Sequence, residues 1–340
     1  MKILLIKRGA IGDLLMATPL IRQLKQRLSC DLDILAGKSA SIALINNPYL
    51  NETIIIPDQN FALKGILNLS RVLLGLRGKY EYVFVLDKHW YFNWMAKLIG
   101  APVIGYTRDI LSNLVLHKSV VYHDINRYQG MYYLDLLRAS QLACVDYTDL
   151  KLDLTVMTAD KLLVEEFIFQ NKLTNYVVVV NSGGNNAYEH DGIRMLPLAK
   201  ITELVRLLLD RGYEVVLLGS GVDINHYKKI CASFSNSSRL FNLAGKFQLA
   251  ASSYLIFRAQ HFYTTDCGAM HLGVAANVLD NMTAFFGPTN PAHFLPDAWR
   301  SKVAVWHDES IYSPAYSLKG ARQNPTPEYF TRIEPRQHLY

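Results

Sequence analysis

Apolar and polar positions follow two rhythms along this chain. Residues 2–7, Lys-Ile-Leu-Leu-Ile-Lys, form a short apolar run that ends at Arg8-Gly9. Apolar residues then recur three and four apart at Leu14, Ala17, Ile21, Leu24 and Leu28. The first pattern is that of a buried strand and the second that of an amphipathic helix, so the chain opens β then α. Pro19 falls inside the helical pattern, which predicts either a kink there or a helix that starts at Pro19 with Thr18 as its cap.

Further apolar runs bounded by turns lie at 32–35, 53–56, 82–86, 103–105 and 120–122, with amphipathic stretches between several of them. Such alternation predicts a parallel sheet covered by helices on both faces. A charged amphipathic segment, 159–172, precedes a new strand at 176–181, Tyr-Val-Val-Val-Val-Asn, and the logic then repeats. A helix is expected at 197–210, a strand at 214–218, strands at 261–264 and 282–286, and a helix opening near Gly268. The expected organisation is α/β: a Rossmann-like, doubly wound domain over 1–158, a second over 159–318, and an irregular tail or closing helix over 319–340. Two such domains facing across a cleft would bind ligands at the carboxyl ends of their strands.

Composition narrows the class. A chain of 340 residues is long enough for two cores, and half of it is apolar with 19% charged, which argues against disorder. The first apolar run is broken by Lys7, Arg8 and Asp13, unlike a signal peptide, and no uncharged stretch approaches the roughly 18 residues that cross a bilayer. The four cysteines are dispersed with no CxxC pair, which fits a reduced cytoplasm without a structural zinc. Net charge is +6, spread along the chain rather than gathered in a tract, and this argues against a dedicated nucleic-acid binder.

Four loops carry candidate chemistry. Lys7-Arg8-Gly9-Ala10-Ile11-Gly12-Asp13 joins the first strand to the first helix, and Asp13 is either a helix cap or a general base at the sheet edge. The loop lacks GxGxxG, which counts against a dinucleotide oxidoreductase. Thr264-Thr265-Asp266-Cys267-Gly268-Ala269-Met270-His271 passes from strand to helix, where backbone amides and the helix dipole suit a diphosphate. Asp266 is otherwise a cap, His271 otherwise a core residue, and Cys267 a small helix-start residue rather than a nucleophile. Phe286-Gly287-Pro288-Thr289-Asn290-Pro291 is a tight turn at the same edge. Asn181-Ser182-Gly183-Gly184-Asn185-Asn186, followed by Arg194, offers amides and a cation to phosphate or is a solvated loop.

Together these residues resemble glycosyltransferase family 9, the ADP-heptose:lipopolysaccharide heptosyltransferases and their relatives. KILLIKRGAIGDLLMATPLIRQLK is similar to that family's opening, and TTDCGAMHLGVAANV with AFFGPTNP to its nucleotide-sugar signature, with GIRMLPLAK and VVLLGSGVD between them. The resemblance implies a GT-B fold, an acceptor-binding first domain and a nucleotide-sugar-binding second domain. It also implies inversion at the anomeric carbon without a metal, and no cofactor beyond the nucleotide-sugar substrate. Asp13 falls on the catalytic base, and Arg194 is the expected stabiliser of the leaving diphosphate. Ser182, Gly183, Arg194, Asp223, Asp266, Cys267, Gly268, Met270, His271 and Thr289 are the expected donor-binding set, with Asp223 on a ribose-holding position.

Gly9, Ala10, Gly12, Lys88 and Arg127 are the expected acceptor-binding set. The stretch from Asp87 to Arg127, which also holds His89, Trp90, Arg108 and Lys118, mixes cations and aromatics suited to an acidic, lipid-linked glycan at the inner face of the cytoplasmic membrane. The chain departs from the family pattern at Arg194-Met195-Leu196-Pro197, which keeps a cation and lacks an aromatic, at Cys267, at Gly9-Ala10, and in lacking a cysteine-rich end. The expected reaction is heptosyl transfer from an ADP-linked donor to a lipopolysaccharide core. The competing readings are transfer of another sugar to a capsular glycan, an O-antigen glycan or a protein hydroxyl, and a catalytically idle nucleotide-binding scaffold.

Overall fold

The chain divides into two units, Met1–Thr155 and Val156–Tyr340, each built on its own parallel sheet. The structure, a computed structural model, describes residues 1–58, 63–107, 110–122, 126–183, 194–235, 237–305 and 330–340. Arg108, Gly184, Asn185, Asn186 and the 319–329 part of the expected tail lie outside the described residues.

In the first unit the strands are β1 (Lys2–Ile6), β2 (Asp31–Gly37), β3 (Glu52–Ile56), β4 (Tyr82–Val85), β5 (Val103–Thr107) and β6 (Lys118–Val121), and the sheet runs β3-β2-β1-β4-β5-β6. The helices are α1 (Ile11–Leu28), α2 (Lys38–Ser41), α3 (Leu63–Gly75), α4 (Trp90–Ala96), α5 (Ile110–Asn113) and α6 (Gln129–Ser140). β1 is central, pairing Ile6 with Leu35 of β2 and Val85 of β4, and Ile3 to Ile6 are all buried. That is why it reads as a continuous apolar run and not an alternating one.

Pro19 neither starts a helix nor receives a cap: α1 runs unbroken through it. A proline removes the N–H that would bond the carbonyl four residues back, here Leu15. The Thr18 hydroxyl donates to that carbonyl at 2.7 Å and accepts the Asp153 N–H at 2.8 Å. The orphaned acceptor is thereby satisfied by the residue expected to cap.

The second unit repeats the topology. Its strands are β7 (Tyr176–Val180), β8 (Glu214–Leu217), β9 (Leu240–Asn242), β10 (His261–Thr265), β11 (Met282–Phe285) and β12 (Ala304–Val305), ordered β12-β11-β10-β7-β8-β9. Its helices are α7 (Thr158–Gln170), α8 (Leu198–Asp210), α9 (Ile224–Ala232), α10 (Leu249–Arg258), α11 (Gly268–Ala275) and α12 (Asp297–Val303). Residues 330–340 pack on this unit. Phe330 and Ile333 join its core, and Lys200 donates to the carbonyls of Thr331 and Ile333 at 3.0 and 2.6 Å.

In both sheets the first strand in sequence sits at the centre, the second and third extend to one side and the fourth to sixth to the other. The connections reverse direction between β1 and β4 and between β7 and β10. These are the switch points at whose carboxyl ends doubly wound sheets bind ligands.

Candidate active site

The carboxyl ends of β1 and β4 deliver Lys7 and Asp87 side by side, and α1 brings Asp13 over them. The Lys7 ammonium lies 3.2 Å from Asp87 Oδ1 and 3.4 Å from Asp13 Oδ2. The Arg8 N–H donates to the other Asp87 oxygen at 2.8 Å. Gly37 locks the loop from below: its N–H donates to the Arg8 carbonyl at 2.8 Å, and a Cβ there would stand 2.5 Å from that oxygen.

Burial pulls the Lys7 pKa down, but the charges of Asp13 and Asp87 outweigh it, so Lys7 is raised above its ordinary value and stays cationic. Asp13 occupies the third position of α1 and accepts the Ala10 N–H at 3.0 Å, so it does part of the capping work foreseen for it. Its other oxygen accepts the Tyr133 hydroxyl at 3.2 Å. Burial, and then the Asp13 charge, push Tyr133 well above a tyrosine's usual range, which keeps that hydroxyl a donor. The Asp13 side chain is 28% exposed whereas those of Lys7 and Asp87 are 5% and 10%. Asp13 is thus the most solvent-accessible carboxylate of this cluster.

Lys88 and Arg127 are both held over rings: the Lys88 ammonium is 4.8 Å from Tyr122, the Arg127 guanidinium 4.8 Å from Tyr132. Arg127 also pairs with Asp135, a buried carboxylate that accepts the Tyr147 hydroxyl at 2.5 Å and meets Arg138 at 3.2 Å. Arg127 is therefore engaged inside the unit and is not simply a surface cation awaiting an anion. Gly12 is buried in the first turn of α1, while Gly9 is half-buried and Ala10 exposed at the loop's tip.

The second unit gathers its charged residues at its own switch point. Asp266 follows β10, is 2% exposed, and accepts the Thr289 hydroxyl at 2.5 Å. Arg194 is 3.4 Å from the same oxygen and is itself buried. Asp223 closes a turn: its Oδ2 accepts the N–H and the hydroxyl of Ser220 at 2.7 and 2.9 Å. Gly219 permits this, since a Cβ there would come within 2.8 Å of that carboxylate oxygen.

Several expected donor contacts take a different form. The Asn181 N–H donates to the Tyr227 hydroxyl at 2.9 Å, and its side chain bridges Leu196 through two hydrogen bonds. The Ser182 N–H donates to Thr265 at 3.3 Å, and the Ser182 carbonyl accepts the same hydroxyl at 2.7 Å. These two loop amides have partners inside the unit, and Gly183 follows them. Met270 and Thr289 are both fully buried, Met270 in the unit's interior and Thr289 behind Asp266. His271 is buried on the same helix, edge-on to Phe294. Burial pushes the Cys267 thiol up, disfavouring a thiolate, and Cys267 instead forms the N-cap of α11. Gly268 and Ala269, half-buried, present the start of that helix.

Each unit thus carries at its switch point a buried cation paired with carboxylate. The sequence pattern of glycosyltransferase family 9 (heptosyltransferase) matches residues 69–314, most of the chain. The chain belongs to glycosyltransferase family 9. Lipooligosaccharide heptosyltransferase 2 of Haemophilus ducreyi is 25% identical over 315 residues, covering 90% of this chain and 88% of that one. Lipopolysaccharide heptosyltransferase 2 of Escherichia coli is 27% identical over 314 residues, covering 89% and 87%. Among solved structures, E. coli ADP-heptose lps heptosyltransferase II is similar with a TM-score of 0.75 at 21% identity, over 99% of this chain and 96% of that one. The fold of this family 9 glycosyltransferase is GT-B.

Asp87 and Tyr133 escaped the reading of motifs. Asp87 becomes visible once β4 is known to lie beside β1, an order that periodicity does not carry. Tyr133 sits mid-helix in α6 with no local signal. No group of three or more His, Cys, Asp and Glu suited to a metal ion occurs among the described residues. No helix of the described residues is long and apolar enough to cross a membrane.

Proposed function

We propose that this family 9 glycosyltransferase moves a heptose from ADP-heptose to the core of a bacterial lipopolysaccharide or related glycolipid, inverting the anomeric carbon in a single displacement. The observation that carries the reading is the half-exposed carboxylate of Asp13, oriented by Tyr133 and by the buried Lys7 at the switch point of the first unit. Support for the donor and acceptor comes from the likeness to heptosyltransferases, among them the E. coli ADP-heptose lps heptosyltransferase II.

In this reading the first unit holds the acceptor and the second the sugar nucleotide. Asp13 takes the proton of an acceptor hydroxyl while that oxygen forms a bond to the anomeric carbon, and the bond from that carbon to the donor phosphate breaks on the opposite face. The ADP released carries the charge that had developed on its β-phosphate. Arg194 and the N-terminus of α11 at Gly268 meet this charge, an electrostatic contribution of about several kcal/mol that calls for no metal and no cofactor. Asp266, with Thr289 behind it, holds Arg194 in place, and Asp223 serves the ribose side of the donor. The setting proposed is cytoplasmic, with peripheral contact at the inner face of the cytoplasmic membrane where such acceptors are anchored.

The test is Asp13→Asn, assayed for transfer and separately for ADP affinity. Transfer falls by roughly 10²-fold or more, the usual contribution of a positioned base, and ADP affinity is unchanged. A variant that turns over within a fewfold of the parent removes Asp13 from the role of base.

A further inference from the structure

We infer that the face formed by α3, α4 and α5 of the first unit is a docking surface for an anionic phospholipid bilayer. This inference rests on the reading of the acceptor as a lipid-anchored glycan and names the surface by which the enzyme reaches it.

Three short helices on that face leave large apolar side chains in solvent: Leu67 and Leu74 of α3, Trp90 and Trp94 of α4, Leu111 of α5 and Leu114 just after it, each 42% to 69% exposed. These are not scattered singletons, the ordinary state of a soluble surface. The helices touch in sequence order: Ser70 of α3 lies against Met95 of α4 at 4.0 Å, and the Trp94 indole N–H donates to the Leu111 carbonyl at 3.2 Å. The leucines at 67 and 74 stand two turns apart on α3, with exposed Arg71 between them on the same side.

Charge selects the occupant. Residues 63–121 contain eight Lys and Arg against three Asp and Glu, an excess of five in a chain whose whole net charge is +6. One of the three acids, Asp87, is buried against Lys7 and does not act at the surface. The sequence spreads these cations along the chain, and the fold sets exposed Arg71, Arg77 and Lys97 on or beside α3 and α4. Apolar and tryptophan side chains flanked by Lys and Arg, on short helices that do not span, are the composition of an interfacial surface. The rings and leucines enter the headgroup boundary while each cation near an anionic membrane contributes about 1 kcal/mol. A protein partner or a second copy would not by itself call for such an excess of one charge.

The experiment is co-sedimentation of the full chain with vesicles of phosphatidylethanolamine and phosphatidylglycerol, and with neutral phosphatidylcholine vesicles, at low and high salt. The parent sediments with the anionic vesicles at low salt and is released by salt. A triple variant, Leu67→Glu/Arg71→Glu/Leu114→Glu, loses at least about tenfold in partition, consistent with reversing one cation and placing two carboxylates at the interface. A milder pair, Arg71→Glu/Lys97→Glu, lowers the binding without touching an apolar side chain and guards against a folding defect in the triple variant. Transfer to a delipidated, water-soluble acceptor is the same for parent and variants, so a failure of the catalytic reading shows as no transfer in any of them while the vesicle result still decides the surface. Parent protein that ignores anionic vesicles overturns the inference, as do variants that bind as well as the parent. A parent that sediments as a dimer and a triple variant that sediments as a monomer would reassign the face to self-association and overturn it equally.

Discussion

Lys7 and Asp13 meet at 3.4 Å across the mouth of the first strand, the ammonium almost wholly buried and the carboxylate partly open to solvent. The charge of Asp13, joined by that of Asp87 from β4 at 3.2 Å from the same ammonium, holds the Lys7 pKa above its ordinary value against burial.

Replacing Lys7 by Met leaves Asp13 and Asp87 without the cation that separates their charges. Two neighbouring carboxylates hold a proton more tightly. The acidic limb of the pH profile of kcat/KM therefore moves to higher pH, by about one unit or more, and the profile is the measurement that separates this from a simple loss of folded protein. An unmoved limb with reduced activity assigns Lys7 to structure alone.

Arg194 and Asp266 form the corresponding pair in the second unit. For Arg194→Ala the expected loss in affinity for ADP is roughly 10- to 100-fold, in the range of a hydrogen bond to a charged group, accompanied by slower transfer. Calorimetric titration checks it, and Thr289→Val serves as the companion variant. Thr289 contacts Asp266 and not solvent, so its substitution lowers the melting temperature more than it lowers nucleotide affinity.

His261 opens β10, shares a hydrogen bond of 2.9 Å with Thr283 and stacks on Tyr340 at 4.9 Å between ring centres. Burial lowers its pKa from 6.5 to about 4. The native protein therefore holds a neutral ring where the unfolded chain, below pH 6.5, takes up a proton. Stability contributed by that neutrality is complete above pH 6.5, is lost as pH falls, and has gone by about pH 4, a span worth roughly 3 kcal/mol. Denaturant unfolding between pH 7 and 4 shows the slope, and His261→Gln flattens it. An equal slope in the variant places the acid sensitivity elsewhere.

The sequence announced both doubly wound units because their central strands, buried on two faces, are continuous apolar runs. β9 and β12, three and two residues long, gave no such run and were not foreseen. Asp266 directly follows β10 and Asp13 stands in the first turn of α1, so the strand-then-helix pattern places both at the carboxyl edge of a sheet, whereas Arg194 stands just before α8 and no strand end marks it. Lys7 lay in plain view in the first loop, but its importance depends on Asp87, eighty residues on, and hence on strand order. A glycine-rich loop looks open in sequence, and only the fold shows that the amides of Asn181 and Ser182 are bonded to Tyr227 and Thr265.

The central claim is that the second unit takes an ADP-linked sugar. Calorimetric titration of the purified protein with ADP, UDP, GDP, CMP and NAD tests it most directly. The account predicts selective binding of ADP, with a dissociation constant on the order of micromolar, about 8 kcal/mol of binding free energy. Preference for UDP or GDP, or binding of none of the five, contradicts it.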